Sequence, residues 1–178
     1  QGMEVSYVTS DASDSMFRDP PPGVRPVFVG NRNAAAVFFR TLDAPLVVTT
    51  TPDLGYRAYQ RSKYDAHYVY VHHSVLSSHM VYKAGAFDQF DTIFCAGNHH
   101  VAETRRWEAF ANVPEKKLTE FGHPRIDDLI RQKKQTLKSD APQLQTVLIA
   151  PTWGQAGMLE TVGLDLIRSV LNTGRKTV

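Results

Sequence analysis

The sequence predicts an α/β fold: a mainly parallel sheet with helices on both faces. Two observations carry this. Short apolar runs rich in valine, isoleucine and aromatics alternate with helix-length stretches, a pattern that specifies parallel strands joined through helices. The run Tyr68-Val-Tyr-Val71 then stops abruptly in His72, His73 and Ser74, with Ser77, Ser78 and His79 just beyond. A strand that ends in titratable and hydroxyl side chains puts chemistry at the sheet edge, where open α/β sheets bind ligands. Neither an internal repeat nor a low-complexity tract interrupts the pattern.

Val5–Thr9 is the first expected strand, followed by a loop with Asp11, Asp14 and Pro20-Pro-Pro22. Pro26–Val29 is the second, ending at Gly30-Asn31. Asn31 or Asn33 would cap a helix from Ala34 to Leu42, whose apolar side carries Ala35, Phe38, Phe39 and Leu42. Leu46–Thr50 is the third strand, and Pro52-Asp53 is expected to open a polar helical stretch through Arg61. His67–Val71 is the fourth strand and Thr92–Ala96 the fifth. Gly97-Asn98 would cap a helix from His99 to Ala111. Leu118–Phe121 is the sixth strand, and Gly122-His-Pro-Arg-Ile-Asp-Asp128 leads into a helix from about Ile126 to Leu137.

These elements make residues 3–137 one domain. The polar, proline-bearing stretch 138–145 reads as a linker. Residues 146–178 read as the start of a second domain that is cut short: a strand at Thr146–Ala150, a turn, a helix over Leu159–Asn172 and the beginning of another strand. Gln1-Gly2 ahead of Met3 reads as the remnant of a cleavable tag.

A chain of 178 residues can bury a full core without disulfides or metal staples. Its net charge of +2 is too small to imply nucleic acid. The single cysteine, Cys95, lies in an apolar run and cannot pair internally, so a reducing, cytoplasmic setting is expected. No apolar run reaches the length of a membrane span.

The histidines are the main chemical signal, because imidazole is the side chain that titrates near neutral pH. His72 and His73 would point to opposite faces of their strand, which suits His72 to packing and His73 to the edge. Ser74, Ser77 and Ser78 would either donate to phosphate oxygens or satisfy a tight turn. His79 is a polar contact, a ligand or a helix-start residue. Gly97-Asn98-His99-His100 offers either an anion site at a helix N-terminus or ordinary capping. Five histidines (His72, His73, His79, His99, His100) are enough for a three-histidine metal site, but no His-x-x-x-His lies on a convincing helix, so no metal is expected. Asp127 and Asp128 suit the helix dipole better than a metal. Gly-x-Ser-x-Gly and Gly-x-Gly-x-x-Gly are both missing, which disfavours a serine hydrolase and a nicotinamide enzyme. Lys116, Lys117, Arg125, Arg131, Lys133, Lys134 and Lys138 form either a face for anionic polymers and lipid headgroups or a solvated helix surface. Trp107, Phe110 and Tyr82 read as core.

Four segments together resemble the CDP-glycerol glycerophosphotransferases, which build teichoic-acid-type poly(glycerol phosphate). They are His73-Ser-Val-Leu-Ser-Ser-His79, Phe90-Asp-Thr-Ile-Phe-Cys-Ala-Gly-Asn-His-His-Val-Ala-Glu103, Gly122-His-Pro-Arg-Ile-Asp127 and Val147-Leu-Ile-Ala-Pro-Thr-Trp153. Their order and spacing over residues 67–153 carry the resemblance. It implies a GT-B architecture of two Rossmann-like domains facing across a cleft, of which this chain would be the acceptor-side N-terminal half. The donor, CDP-glycerol, would sit mainly on the C-terminal domain. That domain would also bring a second histidine in an Arg-Pro-His-Pro-like segment that these residues lack, so the fragment alone is expected to be inactive.

The implied reaction transfers glycerol phosphate to a hydroxyl of a polymer or lipid-linked acceptor and releases CMP. His73 matches the family's histidine position and would be the general base. Ser74, Ser77, Ser78, His79, Asn98, His99 and Arg125 would contact substrate, and Arg125 would also organise the interdomain hinge. His79 departs from the simplest form of the family's loop. No organic cofactor is implied, and peripheral attachment to the inner face of the cell membrane would suit the acceptor. The rivals are a GT-B glycosyltransferase using a nucleotide sugar, and a non-catalytic module that binds an anion or polymer.

Overall fold

The computed structural model describes residues 4–57, 59–136, 146–151, 154 and 157–177. It has an α/β fold, and every strand pair among the described residues is parallel. The chain divides into two compact units, Gln1–Asp128 and Leu129–Val178. The expected linker at 138–145 lies outside the described residues.

In the first unit, β1 (Val5–Thr9) and β2 (Val24–Phe28) form a sheet of their own. A single 3-10 turn, Ser15–Phe17, lies between them, started by the Asp14 carboxylate accepting from Met16 N–H. Helix α1 (Arg32–Thr41) follows β2. Of the two candidate caps, Asn31 is the one used: its side chain accepts from the N–H groups of Asn33 and Ala34.

The main sheet has the order β3 (Leu46–Thr49), β4 (His67–Val71), β5 (Thr92–Cys95), β6 (Lys117–Glu120). Its two central strands are the apolar ones. Tyr68, Val69 and Tyr70 are buried on both faces of β4, as a central parallel strand requires. Tyr68 and Tyr70 build the core with Ile93 and Cys95 of β5 and with Leu54, Ala66 and Phe90. Each buried tyrosine finds a partner for its hydroxyl: Tyr68 Oη accepts from Ser62 N–H, and Tyr70 Oη bonds Tyr82 Oη. At the other end of these strands, Asp91 accepts from Tyr68 N–H at 2.7 Å and from both ends of the Arg61 guanidinium at 3.0 and 3.1 Å. Partial burial pushes the Asp91 carboxyl up, but Arg61 and the Tyr68 N–H outweigh it and leave it below the ordinary carboxylate range.

The helix expected from Pro52 through Arg61 is not formed among the described residues. Asp53 (φ 64°), Gly55 (φ 93°) and Arg57 (φ 51°) take left-handed conformations there, incompatible with a right-handed helix. The chain instead turns through a Tyr56–Tyr59 bridge, dropping Leu54 into the core.

Helix α2 (Ser78–Val81) is one turn after β4, and α3 (Asn98–Ala111) follows β5. The buried face of α3 is polar, made of His100, Thr104 and Glu108. Glu108 accepts from Arg105 and from Lys116 N–H. Two expectations fail here. Phe110 is 82% exposed rather than core, and Lys116 is 6% exposed rather than part of a basic surface. Helix α4 (Pro124–Thr136) follows β6.

The second unit contains β7 (Thr146–Val147), α5 (Met158–Leu171) and β8 (Lys176–Thr177), a strand–helix–strand with its strands paired in parallel. Thr152 and Trp153 lie outside the described residues. No helix of the described chain is long and apolar enough to cross a membrane.

Candidate functional site at the carboxyl ends of the strands

Strands β4, β5 and β6 are adjacent and parallel, so their carboxyl ends open on one edge of the sheet. Histidines follow each of them: His72 and His73 after β4, His99 and His100 after β5, His123 after β6. Three of these imidazoles grip the backbone of the loop that runs from His73 to His79. His123 Nε2 donates to the His73 carbonyl at 3.2 Å, His99 Nε2 to Val75 at 3.0 Å and His100 Nε2 to Leu76 at 2.8 Å. A carbonyl only accepts, so each Nε2 must carry the proton. His100 Nδ1 in turn accepts from Ala96 N–H at 3.2 Å, which makes that ring the neutral tautomer. Burial holds the His100 pKa down, partly offset by its bond to Leu76.

His72 is buried at 3% exposure, with its ring stacked on His100 at 3.8 Å and edge-on to Tyr70 at 5.0 Å. Neither of its nitrogens has a hydrogen-bond partner. Burial, followed by the neighbouring histidines His100, His73 and His99, pushes its pKa down to about 3, so it is neutral across the physiological range.

His73 is placed differently. Its carbonyl is pinned by His123 while its side chain is exposed at the strand end. Ser74 is in a turn, its hydroxyl accepting from Leu76 N–H. Ser77, Ser78 and His79 gather around Glu103 of α3. Ser78 N–H donates to Glu103 Oε2 at 2.6 Å, and His79 Nδ1 lies 3.6 Å from Oε1. Ser77 Oγ is 3.3 Å from the His79 ring. Partial burial pushes the Glu103 carboxyl up, but the Ser77 hydroxyl, Ser78 N–H and two histidines more than offset this and hold it below its ordinary range.

Asn98 and Arg125 stand apart from that group, each exposed in the first turn of its own helix. Asn98 is not the cap of α3; Gly97 is, in an extended conformation and with no side chain to contribute. The contacts of Glu103 and His123 were missed in the sequence because both cross more than twenty residues. For Glu103 a signal was present: it is one helical turn from His99 and His100, on the same side. Among the described residues no group of three or more His, Cys, Asp or Glu is placed to hold a metal ion.

No family model, curated protein or solved structure matches the chain in comparison. The likeness to the glycerophosphotransferases therefore rests on the four sequence segments alone.

Proposed function

We propose that the chain is the acceptor-side part of a CDP-glycerol glycerophosphotransferase-like enzyme. The observation that supports this best is the pinned loop with the exposed His73 imidazole at its start. Fixing the backbone of a loop while leaving one imidazole open is what a positioned base requires.

In this reading an acceptor hydroxyl lies against the His73 imidazole. Its oxygen attacks the β-phosphorus of CDP-glycerol, the hydroxyl proton passes to the imidazole, and the bond from that phosphorus to the CMP oxygen breaks. A base in this role is worth roughly 10²–10⁴-fold in rate. His99 and His100 act through the loop backbone rather than on substrate. The N-terminus of α3 and the 77–79 hydroxyl and imidazole groups face the acceptor, and the exposed Lys117 and Arg125 favour an anionic polymer or lipid-linked acceptor at the inner membrane face.

The test is CMP release by the full-length gene product with CDP-glycerol and a poly(glycerol phosphate) primer, run beside a panel of nucleotide sugars. CMP release that needs the primer supports the reading. Turnover of a nucleotide sugar alone would replace it with a glycosyltransferase.

A further inference from the structure

At the far end of the pinned loop from His73, a cleft of about 200 Å³ opens between α2, the Tyr82–Phe87 turn and α3. That is below the roughly 300–1,000 Å³ of pockets for drug-sized ligands, and suits one small ring. One wall is the Trp107 indole, anchored by its Nε1–H donating to Asp88 at 2.7 Å. Tyr82 and Phe87, packed edge to face at 5.1 Å, add further apolar surface. Phe110 lies 5.8 Å from the indole and, at 82% exposure, extends the aromatic surface outward.

The polar groups are few and convergent. Ser78 Oγ is buried with no hydrogen-bond partner. Glu103 already meets Ser78 N–H, the Ser77 hydroxyl and the His79 ring, and with about four lone-pair sites on its two oxygens it keeps acceptor capacity for one more donor. The cleft also has two lysines, but their ammonium groups are occupied: Lys83 with Asp53 at 3.5 Å and the Tyr56 ring at 3.8 Å, Lys116 with the Pro114 carbonyl at 3.4 Å. With both lysines engaged elsewhere and Glu103 already met by Ser78 N–H and the His79 ring, no free charge in the lining selects an anion or a cation. The lining favours a neutral ligand with an apolar face and several hydroxyls.

We propose that this cleft is a subsite for a pyranose ring, its C–H face against Trp107 and its hydroxyls on Glu103 and Ser78. Its identity as a sugar unit of the acceptor rests on the transferase reading above; sugar binding itself does not. The acceptor then presents a glycosyl unit in the cleft while the reacting hydroxyl lies at the other end of the loop.

Saturation-transfer NMR on the full-length protein tests this with methyl pyranosides, glycerol and tetramethylammonium as separate probes. Pyranoside ring protons should receive saturation. Trp107→Leu and Glu103→Gln should weaken binding roughly tenfold, and the exposed Phe110→Ser, which leaves the core untouched, should weaken it by a smaller factor. His73→Ala should leave binding unchanged. The proposal is overturned if no pyranoside is saturated, if glycerol or tetramethylammonium binds in its place, or if folded Glu103→Gln and Phe110→Ser both bind like the parent. Pyranoside binding without CMP release would sink the transferase reading and keep the subsite, and CMP release without pyranoside binding would do the reverse.

Discussion

The imidazoles of His72 and His100 stack face to face, 3.8 Å apart and 13° from parallel, beneath the loop that begins at His73. The two rings differ in their hydrogen bonding. His100 has a partner on each nitrogen and His72 has none. Burial disfavours the charged form of both rings, which couples folding to pH.

His72 has a folded pKa of about 3 against an ordinary 6.5, so below pH 6.5 the unfolded chain binds a proton that the folded chain refuses. Stability is therefore fully present above about pH 6.5 and falls as pH drops toward 3, by up to about 1.4 kcal/mol per pH unit from this one group. His72→Phe keeps the stack and removes two unpartnered nitrogens. It should stabilise the protein by about 1–2 kcal/mol and flatten the acid limb in urea titrations from pH 7 to pH 4.

His100→Phe should act oppositely. It keeps the ring but strands the Leu76 carbonyl and the Ala96 N–H, at a cost of about 2–3 kcal/mol. Amide exchange across residues 73–79 should speed up more than exchange in β4 and β5.

Gly97→Ala probes the same loop from outside the core. The backbone there is extended and accepts any residue, but a β-carbon would lie 3.0 Å from His99 Nδ1. The His99 ring must shift, weakening its bond to the Val75 carbonyl. The expected result is a melting temperature within a few degrees of the parent and lower exchange protection confined to the loop, with β5 unchanged.

At the opposite end of the strands, Arg61 should be irreplaceable by lysine. Its guanidinium bonds Asp91 twice, reaches the Gln89 and Ala66 carbonyls and lies over the Tyr68 ring at 4.7 Å. A lysine cannot reproduce that fork. Arg61→Lys and Arg61→Ala should each cost about 2–3 kcal/mol by denaturant titration.

The parallel strands were legible because β-branched and aromatic runs are local signals, and β4 ended where its apolar residues ended. The 52–61 segment was not, since its composition tolerates a helix and only the left-handed backbone at Asp53, Gly55 and Arg57 excludes one. Of the two aromatic residues of helix α3 read as core, Trp107 is half-buried and Phe110 is exposed. The buried stripe of the helix is His100, Thr104 and Glu108, polar residues acceptable inside only because the Leu76 carbonyl, the His100 carbonyl and Arg105 meet them. A hydrophobicity pattern cannot show such partners, so Phe110 was placed inside when it is outside. The candidate site divides the same way. His73 at a strand end was visible in the sequence, whereas the histidines that hold its loop act across 24 to 50 residues.

The central proposal is that His73 is the base and that His99, His100 and His123 only hold its loop. The most direct test is kcat/KM against pH for CMP release by the full-length protein and its folded His73→Ala variant. The account predicts a loss of roughly 10²–10⁴-fold across the pH range. An unchanged rate and pH profile in a folded His73→Ala protein would contradict it and leave His73 a structural residue.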